Sequence, residues 1–252
     1  MIKNKSLEKH PICNLNREEL ILIAKILLDA KQTGKKPSLT EKQILLNGLF
    51  NHLSEIEGKL KDIKISKFLL KSSKIEEHTG KENYTRSDHI KYHLEFYQIN
   101  VIAIFDRTLH LINFIYKLGL SNRYVTKDII CSNSNIPKIL INLIKEFDKN
   151  IDPIRRVQNN IKHKEKIDLP ELHEAELLDH VLWTWKEIKY KKLKVDLNWT
   201  KKDENSFLKE SNFYYKIFLK KEIDKINMIN NDLNGHIWKI LDILSDEFQK
   251  QI

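Results

Sequence analysis

Apolar residues recur along this chain at three- and four-residue intervals, the period of an α-helix. Asn16 is a good N-cap. After it come Arg17-Glu18-Glu19 and then Leu20, Ile23, Ala24, Leu27 and Leu28, a helix expected to stop near Gly34 and Pro37. Thr40 can cap a second helix through Ile44, Leu45, Leu49, Phe50, Leu53, Ile56 and Leu60, running towards Leu70. Residues 71–86 are polar and read as a loop. Ser87 is the expected cap of the strongest helix, which runs to about Leu118. On it Leu94, Tyr97, Val101, Ile104, Phe105, Thr108, Leu111, Ile112 and Ile115 share one broad face. Gly119 is its natural stop.

A short turn around Lys127–Cys131 is expected next. Pro137 then opens a helix with Ile139, Leu140, Leu143, Ile144 and Phe147 in period. Pro153 either kinks that helix or starts another, which continues to about Lys164. Pro170 opens a further helix through Leu172, Leu177, Leu178, Val181, Leu182, Trp185 and Ile188. The last fifty residues predict one or two helices, with Phe207, Leu208, Tyr214, Phe218, Ile237, Ile240, Leu241 and Leu244. The pattern is that of one all-α bundle, a single helical domain over 1–252.

Composition narrows this picture. Of 252 residues only six are Gly and five Pro, too few for an all-β chain with its many turns. The glycines are scattered singly, so no glycine-rich phosphate loop exists. Cys13 and Cys131 cannot build a disulfide framework or a four-cysteine zinc site. No apolar run approaches the ~20 residues of a membrane span, and the N-terminus lacks a signal-peptide apolar region. A soluble, cytoplasmic protein without a cofactor is expected. The net charge of +9 is weak evidence for a nucleic-acid partner by itself, because richness in Lys, Ile and Asn also reflects an A/T-rich genome.

The stretch Asp152-Pro153-Ile154-Arg155-Arg156-Val157-Gln158-Asn159-Asn160-Ile161-Lys162-His163 carries the most chemistry. On a helix, Arg156 and His163 lie about 20° apart, with Asn159 and Asn160 between them. Val157 and Ile161 lie off that stripe and are expected to face the core. An imidazole with a reference pKa of ~6.5 can move a proton to or from a ribose 2′-hydroxyl. A guanidinium can hold phosphate oxygens and offset transition-state charge. That set suits RNA backbone cleavage with no metal. The competing reading is a solvated polar face.

This stretch resembles the signature of the HEPN superfamily, the higher-eukaryote and prokaryote nucleotide-binding domains: an Arg, four to six intervening residues, then a His, often with a polar residue directly after the Arg. Arg156 and His163 have six residues between them. The long helix, with His93-Leu94-Glu95-Phe96-Tyr97, Ile104-Phe105-Asp106-Arg107-Thr108-Leu109, Leu111-Ile112-Asn113 and Tyr116-Lys117-Leu118-Gly119-Leu120, is similar to the helix preceding the motif in a bacterial branch of the family. The resemblance implies a HEPN-like core at about 87–190 with N- and C-terminal helical decorations. It further implies a homodimer with facing motif helices and metal-independent endoribonuclease activity, in a toxin or phage-defence setting with an antitoxin protein as partner. By position, His163 would transfer the proton and Arg156 contact phosphate, with Asn159 or Asn160 as polar helper and Arg155 in support. At the commonest spacing the Arg falls five before the His, and here that position holds Gln158. Either Arg156 substitutes, or the domain only binds RNA. A helical protein-interaction module is the third reading.

Glu95, Asp106 and Arg107 interrupt the apolar helix. Unpaired burial would be costly, so they are expected to pair with neighbouring helices. Glu95 or Asp106 either orients the catalytic Arg or His, or forms an ion pair that sets the bundle's register. His89 and His93 have a metal-compatible spacing but lack the Glu of a helical zinc protease, and no metal site is expected. The cluster His173, Glu174, Glu176, Asp179 and His180 reads as a solvated face. Residues 186–221 hold eleven Lys against five acidic residues, interleaved with aromatics. Lys189, Lys191, Lys192 and Lys194 are therefore the candidate RNA contacts.

Overall fold

The computed structural model describes residues 9–15, 17–72, 85–164, 169–190 and 200–252, and of 160–164, 186, 189 and 190 the backbone alone. Seven α-helices and no strand occur among the described residues: α1 (Arg17–Thr33), α2 (Glu41–Lys71), α3 (Arg86–Ile115), α4 (Lys127–Ser132), α5 (Lys138–Lys164), α6 (His173–Tyr190) and α7 (Lys201–Gln249). The all-α expectation holds. The C-terminal region is one helix of 49 residues, about 73 Å long.

Local chemistry sets the ends. Gly34 takes a left-handed φ of +68° just past α1, as a terminating glycine does. Thr40 and Gln43 form a reciprocal cap at the start of α2. The Thr40 amide donates to Gln43 Oε1 at 3.0 Å, and the Gln43 amide donates to Thr40 Oγ1 at 3.3 Å. The cap of α3 is Thr85, two residues earlier than expected. Thr85 Oγ1 accepts from the Asp88 amide at 3.1 Å, and Asp88 Oδ2 accepts from the Thr85 amide at 2.9 Å. Ser87 is buried inside the helix, and its hydroxyl donates to Glu176. At its other end α3 stops at Ile115, short of Leu118. The Leu118 amide bonds back to the Asn113 carbonyl at 3.1 Å, and Gly119 has φ +69°. Asn16 and most of 71–86 lie outside the described residues.

The chain divides into two compact units. Unit 1 holds Met1–Ile63, Gln98–Arg156 and Ile229–Ile252; unit 2 holds Lys64–Tyr97 and Val157–Met228. All nine positions expected on the apolar face of α3 are buried, each at 3% exposure or less. In unit 1 that face meets α5. Phe105 and Phe147 pack edge-to-face at 5.1 Å, and Phe147 stacks on His236 at 5.6 Å. Burial of each such side chain contributes roughly 1.5–3 kcal/mol. The amide of Asn150 bonds His236 Nε2 at 2.8 Å. His10, also buried, ties the N-terminal segment to α7 through Asp242 at 3.0 Å and lies against Trp238.

Pro153 neither breaks α5 nor starts a new helix. Both Pro153 and Lys149, whose carbonyl loses its helical partner, lie on the exposed side of α5, where that oxygen is open to solvent. The buried stripe Leu140, Ile144, Phe147, Ile151 and Ile154 therefore continues in phase to Gln158, which is 3% exposed. Val157, expected in the core, is 42% exposed, and Ile139 is 63% exposed. Ile44, Phe50, Leu177 and Leu208 also face outward, because the buried seams of their helices are narrower than the run of apolar residues.

In unit 2, part of the cluster read as a solvated face turns inward. Asp179 accepts from Ser211 Oγ and Tyr215 Oη, both at 2.6 Å, and Glu176 pairs with Lys91 at 2.5 Å. His173, Glu174 and His180 are exposed. Arg86 lies over the Tyr215 ring at 4.5 Å and donates to Asn212 Oδ1 at 2.6 Å.

Two predictions follow from this packing. A Cβ on Gly48 would fall 2.6 Å from Cε2 of Phe114, inside van der Waals contact. Gly48→Ala should cost about 1–3 kcal/mol in urea unfolding, largely restored by adding Phe114→Leu. Burial pushes the imidazoles of His52, His93, His110 and His236 below 6.5, His93 to about 4. The unfolded chain therefore takes up protons first, and stability falls as pH drops from about 6.5 towards 4. Tm should be lower at pH 5 than at pH 7, and an unchanged or higher Tm at pH 5 contradicts this.

Candidate active site

The motif stripe begins with two adjacent arginines that the fold treats differently. Arg155 donates from Nη1 to Asp148 Oδ1 at 2.6 Å, and its guanidinium lies over the Phe105 ring, 5.5 Å from the centroid. Lys127 of α4 donates to the other Asp148 oxygen at 2.9 Å. Burial alone would raise the Asp148 carboxyl, but the bonds from Lys127 and Arg155 outweigh it and hold the group below the ordinary carboxylate range. The side chain of Arg156 is 78% exposed and pairs with Asp152, one turn back, at 2.6 Å. Arg155 is thus held in place, and Arg156 projects into solvent.

Asn159 is exposed. Asn160 and His163 lie within α5, but their side chains are outside the described residues. Gln158, at the commonest Arg position, is buried and cannot present its amide to a phosphate. Lys189 lies in α6 with its side chain not described, and Lys191, Lys192 and Lys194 lie outside the described residues.

Asp106 and Arg107 do not pair with each other. Arg107 Nη1 meets Glu55 Oε2 of α2 at 3.1 Å. Asp106 lies at the surface, yet displaced water pushes its carboxyl up, partly offset by the nearby charge of Arg155. Arg155 itself is paired with Asp148, so its effect on Asp106 is one of nearby charge. Glu95 is half-buried in unit 2. His89 Nε2 lies 3.3 Å from the Leu69 carbonyl oxygen, and its ring meets His93 edge-on at 4.3 Å. Among the described residues no three His, Cys, Asp or Glu side chains cluster as a metal would require.

Two histidines of unit 1 escaped the sequence reading. His52 packs on Phe114 at 5.1 Å, and burial, with a smaller push from His110 and Arg107, lowers its pKa despite Glu55. His110 is lowered by burial and Arg107. The four-residue interval from Asp106 to His110 was the available signal.

The family model for HEPN_Cthe2314-like HEPN matches residues 45–227, well over half of the chain. The chain belongs to this HEPN family. No curated protein and no solved structure matches it. The HEPN match takes in all of α3 to α6, including the motif stripe. HEPN membership points to nucleotide binding or ribonuclease-type function and to interaction with nucleic acid. Among the described residues no helix is long and apolar enough to cross a membrane.

The Asp148 network yields a prediction. Asp148→Asn should destabilise the protein by roughly 1–3 kcal/mol, because Lys127 and Arg155 lose their shared anion. The wild-type carboxylate stabilises above its unfolded pKa of about 3.9, and this is lost as pH falls through its lower folded value. The stability gap between wild type and variant should accordingly shrink at pH 3. Equal gaps at pH 3 and pH 7 in urea unfolding contradict the assignment.

Proposed function

We propose that this HEPN protein is a metal-independent endoribonuclease. The observation that supports this most is the motif itself, Arg156, Asn159, Asn160 and His163 on the single helix α5, within a family-matched segment. His163 takes the proton of a ribose 2′-hydroxyl as its oxygen attacks the adjacent phosphorus. The bond from phosphorus to the 5′-oxygen breaks, and that oxygen leaves with a proton. The products are a 2′,3′-cyclic phosphate and a free 5′-hydroxyl. Arg156 steadies the charge on the non-bridging oxygens, Asn159 or Asn160 orients the phosphate, and Arg155 adds positive potential from its seat on Asp148. Glu95 and Asp106 act as supporting groups, Asp106 through Arg155. Lys189, Lys191, Lys192 and Lys194 hold the RNA backbone. Two copies of the chain pair through α5, in the cytoplasm, in a toxin or defence role restrained by an antitoxin protein.

A second reading, RNA binding without cleavage, is favoured by Gln158, since that buried amide stands where an Arg is commonest. One experiment separates them. The wild-type protein should degrade RNA in EDTA, and His163→Ala should abolish this while leaving salt-sensitive RNA binding. Binding without turnover in the wild type supports the second reading, and unchanged cleavage by His163→Ala removes the first.

A further inference from the structure

We propose that one outer face of unit 2, formed by Lys64, Ile65, Phe68 and Lys71 of α2 and Tyr92 and Phe96 of α3, docks the protein on an anionic lipid bilayer. The attachment is to one leaflet and needs no crossing helix. It stands whether or not the chain cuts RNA.

All six residues lie within Lys64–Tyr97 of unit 2. On α2, Lys64 and Ile65 come one turn before Phe68 and Lys71 one turn after, so the four share one side of the helix. Ser66 and Leu70 point the opposite way and are buried. Phe68 is 71% exposed, the highest value for a large apolar residue among the described residues; Tyr92 is 58% and Ile65 42% exposed. His89 Nε2 lies 3.3 Å from the Leu69 carbonyl oxygen and joins the two helices at this level. Tyr92 comes one turn after His89, and Ile65 one turn before Leu69. Each therefore lies on the side of its helix that meets the other. The half-buried Phe96 ring extends the face, stacked on Tyr92 at 6.4 Å with the two planes 3° apart.

Scattered apolar residues on a surface need no explanation, but these occupy neighbouring turns of two joined helices and are rimmed by cations. Among the described residues Lys64 and Lys71 are exposed and make no ion pair. Their neighbours are engaged: Lys67 bonds Asn227, and Lys91 pairs with Glu176. The nearby acids face elsewhere. Asp88 caps α3 through Thr85, and Glu95 projects about 100° round the helix from Phe96. Bare amines beside exposed hydrocarbon complement a surface that is anionic outside and oily beneath. Lysine stems let the amines reach lipid phosphates while Ile65 and Phe68 enter the acyl boundary. Tyr92, apolar along its ring and polar at its tip, suits the headgroup level. An RNA strand would satisfy the lysines but offers no hydrocarbon to Ile65, which has no flat face for a base. A basic, partly apolar helix face of this kind is the pattern of a membrane-surface element.

The test is co-sedimentation of the full chain with vesicles of phosphatidylcholine alone or with about one third phosphatidylglycerol. Wild type should bind the anionic vesicles, release them at high salt and ignore the neutral ones. Phe68→Ser should weaken binding about tenfold or more. Lys64→Gln and Lys71→Gln should each weaken it about fivefold. All three side chains are exposed, so the variants should keep the wild-type urea unfolding curve. Phe68→Leu should retain binding, since a bilayer takes any apolar side chain whereas base stacking needs a ring. Phe68→Ser should bind RNA as wild type does. The proposal is overturned by no binding to anionic vesicles or by binding that Phe68→Ser leaves unchanged. Loss of RNA binding in Phe68→Ser that Phe68→Leu does not restore assigns the face to RNA and also overturns it. So does a dimer lost in Phe68→Ser with no vesicle binding, which assigns the face to a second copy.

Discussion

The requirement that α3 bury one unbroken apolar face governs the rest of the structure. From Leu94 to Ile115 that face leaves no room for charge, so Asp106, Arg107 and His110 are displaced to its margins. There they meet groups from α2 and α5 instead of water alone. Phe105 links the two roles: its ring packs edge-on against Phe147 in the core and also supports the guanidinium of Arg155. The hydrophobic seam and the polar margin are consequences of one helix phase.

The same logic divides the motif helix. Asp148 draws two cations, Lys127 and Arg155, and so decides which of two adjacent arginines is held and which is left to act. A fixed guanidinium loses little freedom when it meets a phosphate, and a mobile one reaches further. The burial of Gln158 follows from an uninterrupted α5. The cations of this stretch are Arg155 and Arg156, three and two residues before the commonest position.

What could be read in advance was whatever depends on local period. The nine positions of α3 were legible because a long helix with one apolar face leaves little freedom of phase. Errors arose where the phase was allowed to reset. Val157 was expected inside; carrying the Leu140–Ile154 stripe through Pro153 puts Gln158 there and Val157 outside. The cap of α3 was legible in Thr85 and Asp88 but was masked by Ser87, whose hydroxyl serves Glu176 from a different helix. Glu55 and Arg107 could not be joined from sequence, because the approach of α2 to α3 near Gly48 is what brings them together. The family, by contrast, was legible from two segments in order.

The central claim is that this HEPN chain cleaves RNA through the ribose 2′-hydroxyl. The most direct measurement uses an oligonucleotide with its mapped cleavage site intact and the same strand carrying a single 2′-deoxy residue there. The account predicts that the ribose strand is cut to a 2′,3′-cyclic phosphate and that the deoxy strand survives at that position. Cleavage of both strands at the same bond would contradict it.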